Sequence, residues 1–213
     1  MNARTRAPLR AELRERRRAI PAPQRIAAAE RLAERLLALP FLPEAGDVAG
    51  YWAMDGEIAL HAFQLRLPPG LRWCLPVLAD DGLRFARWRP GEPLASNRFG
   101  IPEPAVDADA LLEPRQMALV LLPLVGFDAR GHRLGMGGGW YDRAYAYRNH
   151  AAAAAAGAPD VPGATGAAAP RRPPWLVGTA FAAQQVDALA AEPWDVALDA
   201  VCTERDTFLF ETS

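Results

Sequence analysis

The 213-residue sequence contains no lysine, so all 24 of its basic residues are arginine. That excludes Schiff-base chemistry, a lysine nucleophile and the phosphate-gripping lysine of a P-loop. Serine is almost missing as well: only Ser96 and Ser213 occur, and no G-x-S-x-G elbow exists. The two cysteines, Cys74 and Cys202, lie far apart, which supports neither a disulfide framework nor a zinc site. The three histidines, His61, His132 and His150, are isolated from one another and read as surface or loop positions. No apolar run reaches the roughly 20 residues that a spanning helix needs. No apolar signal core follows the Arg-rich start, so the expected location is cytoplasmic, with no membrane partner. The net charge of −1 provides no global field toward nucleic acid. What remains is ordinary globular composition, 51% hydrophobic and 23% charged, in a chain long enough for a substantial core.

The pattern along the chain is helical first and alternating later. Residues 6–20 read as a helix with Leu9, Leu13 and Ile20 on its apolar stripe, and Pro8 is tolerable in a first turn. Arg6, Arg10, Arg14 and Arg17 or Arg18 share one face of it. That face is either a solvated basic surface or a surface that meets phosphates. A second helix is predicted over 23–39 from Ile26, Ala29, Leu32, Leu36 and Leu39. Strands are expected in "DVAGYWA", "RWCLPVL", "LRFARW", "PWLVGTAF" and "LDAVCTE", and helices in "EIALHAFQLRL" and near 182–191. Residues 90–105, rich in Pro and Gly, read as an irregular loop. "QMALVLLPLVGF" suits one strand buried on both faces of a parallel sheet. Segment 150–173 is low complexity and reads as an insertion or connector. The fold class that follows is α/β: a single domain over 1–213 with a central, mostly parallel sheet flanked by helices, in a Rossmann-like three-layer arrangement.

The most informative stretch is 133–143, "RLGMGGGWYDR", which follows the apolar strand and opens into "GGWYDRAYAYRNH", expected to be helical. Glycines let a backbone approach an anion closely, and N–H groups at a helix start point toward it. Two familiar fingerprints fail: the P-loop lacks its lysine, and the last glycine of G-x-G-x-x-G would fall on Trp140. The alternative is a tight structural turn. Arg133 can grip phosphate bidentately, and Asp142 at the helix entrance is a carboxylate beside those phosphates. A magnesium ion between them makes sense of both, and favours a nucleoside triphosphate over a lone phosphate.

"LPLVGFDARGHRLGMGGGWYDR" closely resembles the signature of the 5-formyltetrahydrofolate cyclo-ligase family. "LRAELRERRRAI", "VAGYWAMDGEIAL", "FGIPEP" and "VGTAFAAQQVDALAAEPWDVALDAVCTE" resemble further family elements in the right order. The resemblance implies an α/β fold with a largely parallel sheet. It implies conversion of 5-formyltetrahydrofolate to 5,10-methenyltetrahydrofolate, with ATP becoming ADP and phosphate, through a phosphorylated formyl (imidate phosphate) intermediate. Partners would be that folate, ATP as co-substrate and Mg²⁺, with a monomer expected. Carried over by position, Arg6, Arg10, Arg133, Leu134, Gly135, Met136, Gly137, Gly138, Gly139, Trp140 and Tyr141 would contact ATP. Asp142 and Asp195 would hold the metal. Glu57, Phe99, Gly138, Gly139 and Trp140 would meet the substrate. Arg6 stands where the family more often has lysine, and Trp194 where histidine is common. No protein nucleophile is implied; Arg133 and Tyr141 would position the reactants. Without the resemblance, the favoured reading of Glu57 is an exposed acid at a helix N-terminus and that of Asp195 a cap or turn residue. Two other functions stay open: another ATP-dependent ligase or kinase on the same scaffold, and a non-catalytic nucleotide-binding regulator.

Overall fold

The computed structural model describes residues 3–149 and 174–210, so the expected low-complexity insertion at 150–173 lies outside the described residues. The chain opens with helices α1 (Ala3–Arg18) and α2 (Ala22–Leu37). Strand β1 (Gly46–Ala49), a single helical turn α3 (His61–Leu65), β2 (Leu71–Ala79) and β3 (Gly82–Arg87) follow. Next come β4 (Leu94–Ser96), β5 (Pro102–Pro104), β6 (Met117–Pro123), β7 (Gly126–Phe127), β8 (Arg133–Leu134) and α4 (Trp140–Ala144). The described chain closes with β9 (Trp175–Thr179), β10 (Ala200–Cys202) and β11 (Thr207–Leu209).

One seven-stranded sheet organises these elements in the order β11-β10-β9-β6-β1-β2-β3. From β10 to β2 every neighbour is parallel, and the two edges, β3 and β11, are antiparallel. The mostly parallel α/β architecture expected from the alternation is therefore present. Strand β6 carries the apolar run "MALVLLP" in the interior of the sheet, and core layers on either side bury both of its faces. Its side chains alternate: Leu119 and Leu121 join Val48, Val177 and the α2 residues Ala28, Leu32 and Leu36 in one core layer. Val120 and Leu122 join Ala49, Leu176, Val201 and Tyr145 in the layer on the opposite face. Helix α2 presents Ala28, Ala29, Leu32, Ala33 and Leu36 to the core on a 3.6-residue period; of the expected stripe, Ile26 is instead exposed and Leu39, though buried, lies past the helix end.

Helix α1 docks differently. Leu13 packs with Val125, Leu134 and Leu189 in a small separate core. The approach is close enough that a Cβ on Gly126 would fall 2.5 Å from Leu13 Cδ1. A side chain there would force Leu13 to shift, and the docking brings the α1 residues Arg6 and Arg10 to the main cavity.

Several elements differ from the sequence reading, each for a local reason. The helix expected near 182–191 is only a 3₁₀ turn, Ala182–Gln184. There the Gln184 side chain accepts from Phe181 N–H and donates to the Leu124 and Val125 carbonyls, and Leu189 N–H donates to Asp128. Those bonds satisfy backbone groups that a helix would otherwise pair internally. "EIALHAFQLRL" shortens to α3, because Ile58 O is taken by the Tyr51 hydroxyl at 2.7 Å. "QMALVLLPLVGF" is not one strand: β6 stops at Pro123, and Val125 N–H pairs with Leu134 O to begin the β7–β8 hairpin. The loop at 90–105 contains the β4–β5 hairpin, and β11 was not foreseen. The helix after the glycines has one turn, α4, with helical backbone again at 147–149. So short a helix contributes N–H groups at its start and little macrodipole.

Candidate active site

In chain order the sheet grows from β1 outward to β2 and then, on the other side of β1, to β6, β9 and β10. Beyond the carboxyl ends of β1 and β6 the order reverses, and such a switch point opens a crevice in parallel α/β sheets. A cavity of about 540 Å³ lies there, reached by Tyr51 just after β1 and by Leu122, Pro123 and Leu124 at the end of β6.

One part of its wall is cationic and glycine-rich. Gly137 (φ +98°) and Gly139 (φ +63°) adopt the left-handed backbone that lets the loop turn with its amides uncovered. Arg10 donates from Nε to Gly135 O at 2.7 Å, tying α1 to this loop. Burial and neighbouring Arg6 pull the Arg10 guanidinium below its usual pKa. Arg133 is buried beneath the loop, donating to Val196 O and to Asp142 Oδ1. Burial lowers its pKa too, while the charges of Asp142 and Asp195 oppose the shift. Asp142 Oδ1 also accepts from Val196 N–H at 3.2 Å, which sets it against the segment bearing Asp195. Arg6 donates to Asp195 Oδ2 at 2.8 Å and to Ala190 O at 2.6 Å. Sequence positions 6, 10, 133, 135–142 and 195 thus converge on one cavity.

The other part is built from the 51–58 segment and the β4–β5 hairpin. Glu57 lies in a loop and is nearly buried, not an exposed acid at a helix N-terminus. Its Oε2 accepts from Met54 N–H at 3.0 Å, and Oε1 lies 3.7 Å from Arg17. Burial raises its pKa, opposed by that N–H and that guanidinium. Burial also raises the pKa values of Tyr51 and Tyr141, each further raised by the Glu57 charge. Phe99 is exposed and lines the same cavity as the exposed Trp52, Met54, Met136 and Trp194. The hairpin is held by Asn97, which donates to Glu103 at 2.6 Å, and by Glu103, which accepts from Leu78 N–H at 3.0 Å. Leu134 lies in the small core beneath α1 and is not among the residues on the cavity wall, which corrects its placement as a nucleotide contact.

Sequence reasoning overlooked three features here. The first is the clamp around Asp55, a non-glycine residue at φ +50°. Its carboxylate accepts from Arg14 at 2.7 Å and from Arg17 at 2.9 Å, and also holds Arg18. Arg17, one of the two candidates for the last place on the basic face, is fully buried, and its remaining contacts include the carbonyls of Asp55 and Leu124. The "DG" pair at 55–56 was the available signal, since that dipeptide marks a tight turn. The second is Tyr51, whose hydroxyl bonds Ile58 O and lies 3.0 Å from Thr179 Oγ1, locking the loop to β9. The third is Arg98, whose guanidinium lies over Phe99 (5.2 Å) and Trp140 (5.7 Å) and joins the hairpin to the glycine loop.

The description "5-formyltetrahydrofolate cyclo-ligase family" belongs to a family profile that matches residues 2–204. The chain belongs to this family. The 5-formyltetrahydrofolate cyclo-ligase of Haemophilus influenzae is 33% identical over 203 residues, covering 93% of this chain and 97% of that one. The enzyme of that name in Escherichia coli K12 is 33% identical over 195 residues, covering 90% and 96%. The NMR structure of Aquifex aeolicus 5,10-methenyltetrahydrofolate synthetase superposes with a TM-score of 0.75, at 23% identity, over 98% of this chain and 94% of that one. That likeness carries the α/β fold. Among the described residues no helix is long and apolar enough to cross a membrane.

Proposed function

We propose that this family member converts 5-formyltetrahydrofolate to 5,10-methenyltetrahydrofolate at the switch-point cavity, using ATP. The observation that carries the reading is the composition of that single cavity. Glycine-loop amides and the arginines of α1 meet, in one volume, a partly apolar wall with an inward carboxylate at Glu57. The first set suits a triphosphate and the second a planar heterocycle that is both apolar and rich in hydrogen-bonding groups.

In this reading the loop 135–141, Arg6 and Arg10 hold the phosphates, and Arg133 fixes Asp142 from below. Glu57, kept in place by Met54 N–H and Arg17, orients the pterin, with Phe99 and Trp140 against its faces. The formyl oxygen of the folate attacks the γ-phosphorus of ATP and ADP leaves. The N10 nitrogen then attacks the activated formyl carbon, the ring closes, and the oxygen departs with phosphate. No side chain forms a covalent bond, in keeping with a chain that has no lysine. Positioning and neutralisation of charge provide the rate.

The carboxylates fit a magnesium ion. Asp142 uses Oδ1 for Arg133 and Val196 N–H, and Asp195 uses Oδ2 for Arg6 and Glu192 N–H. No hydrogen bond occupies the other oxygen of either within the described residues. Among those residues no three His, Cys, Asp or Glu side chains form a metal cluster. Two hard oxygen ligands completed by phosphate and water match how magnesium is bound with nucleotides. The ion would supply charge neutralisation of the phosphates.

The test is direct. Purified protein with 5-formyltetrahydrofolate and MgATP should generate the absorbance of the methenyl product together with one ADP per turnover. ADP release dependent on a different acceptor, with no methenyl product, would favour another ligase or kinase on this scaffold.

A further inference from the structure

Behind Trp140, on the side away from the main cavity, lies a second pocket of about 230 Å³ between β3, the turn at 113–115 and α4. Its charges are unequal. Both of its acids, Asp81 and Glu113, are engaged by one guanidinium, Arg84, the latter at 3.2 Å. Arg115 and Arg143 have no carboxylate partner within the described residues. Each lies instead on an aromatic face: Arg115 is 5.0 Å from the Tyr147 ring centre and Arg143 is 4.8 Å from that of Trp140. The Tyr147 hydroxyl is buried and makes no hydrogen bond. Two uncompensated guanidinium forks in a concavity with aromatic walls are suited to a small oxyanion, because the fork matches two oxygens at once and low-dielectric walls focus its field.

We propose that this side pocket is a separate oxyanion site, taking a carboxylate or phosphate group through Arg115 and Arg143. Trp140 is a wall of both cavities, so an anion drawing Arg143 off the indole alters the face offered to the main cavity. The proposal needs no particular substrate in the main cavity, so the two readings fail independently.

Calorimetric titrations with inorganic phosphate and, separately, with glutarate would test it in four proteins: wild type, Arg115→Gln, Arg143→Gln and Arg10→Ala. Expected is one saturable site in wild type and in Arg10→Ala, weakened about tenfold or more in each glutamine variant. Saturation by phosphate alone identifies a phosphate site, and saturation by glutarate alone a carboxylate site. Both arginines are exposed at the pocket, and thermal melts will verify that the variants fold. Tryptophan emission should change on saturation in wild type and not in Trp140→Phe. No saturable binding of either anion overturns the proposal. So does binding lost in Arg10→Ala and kept in Arg115→Gln, which would place the anion in the main cavity. Methenyl formation by Arg115→Gln reports separately on the cyclo-ligase reading.

Discussion

Replacing Asp55 by asparagine tests how the active-site loop is held. The side chain keeps nearly its shape, and asparagine tolerates the positive φ at this position. What disappears is the charge facing Arg14, Arg17 and Arg18. The Arg14 pair is partly solvated and contributes at most about 1 kcal/mol, and the Arg18 pair is exposed to solvent and contributes little. Arg17 is different, because its side chain is 1% exposed and its charge would lose its closest counterion. Removing one partner of a buried pair costs about 3–5 kcal/mol. Arg17 keeps the carbonyls of Asp55 and Leu124 and the more distant Glu57, and asparagine keeps one acceptor oxygen. The lower end, about 3 kcal/mol, is therefore expected. For a chain of this size that corresponds to a fall in Tm of about 6–12 °C. Urea unfolding at pH 7 measures it, and a loss below about 0.5 kcal/mol would refute the clamp. Acid provides a second readout. Burial alone would raise the Asp55 pKa, but hydrogen bonds from Arg14 and Arg18 and nearby guanidinium charges bring it down to about 2. A depressed folded pKa stabilises above the unfolded value of roughly 4, and that contribution is lost as pH falls through about 2. The stability gap between wild type and Asp55→Asn should close over that window.

Three further outcomes follow from the same geometry. Arg10→Ala removes the bond to Gly135 O and one charge from the proposed phosphate-binding wall, so the KM for ATP should rise about 10- to 100-fold at saturating folate. An unchanged KM would make the first helix a solvated surface. Asp142→Asn keeps an acceptor for buried Arg133 while weakening metal attraction, so the Mg²⁺ concentration for half-maximal rate should increase; an unaltered magnesium titration removes Asp142 from that role. Both thiols are buried, and burial pushes each pKa up to about 12, so Cys74 and Cys202 should resist alkylation at pH 8 until urea unfolds the chain. Rapid labelling of the native protein would show that these cores open.

The sequence by itself determined the elements whose periodicity is long and whose burial is uniform. Ala29, Leu32 and Leu36 of α2 and the Met117–Pro123 part of the apolar run read correctly because a helix face or a doubly buried strand needs those residue types wherever it sits in the fold, whereas Ile26 is exposed and the run ends as a strand at Pro123. The glycine loop was also legible, since its backbone geometry is local and only glycine meets it freely. Tertiary structure decided the rest. Segment 182–191 lost its helix because the Gln184 side chain turns to the Leu124 carbonyl and Asp128, 61 residues away, accepts from the Leu189 N–H. Arg17 left its basic face because Asp55, 38 residues away, was brought beneath it. The pairing of Arg6 with Asp195, 189 residues apart, has no periodic signature at all. Such contacts are set by where the sheet order reverses and by how closely α1 docks on Gly126, and a one-dimensional pattern carries neither distance.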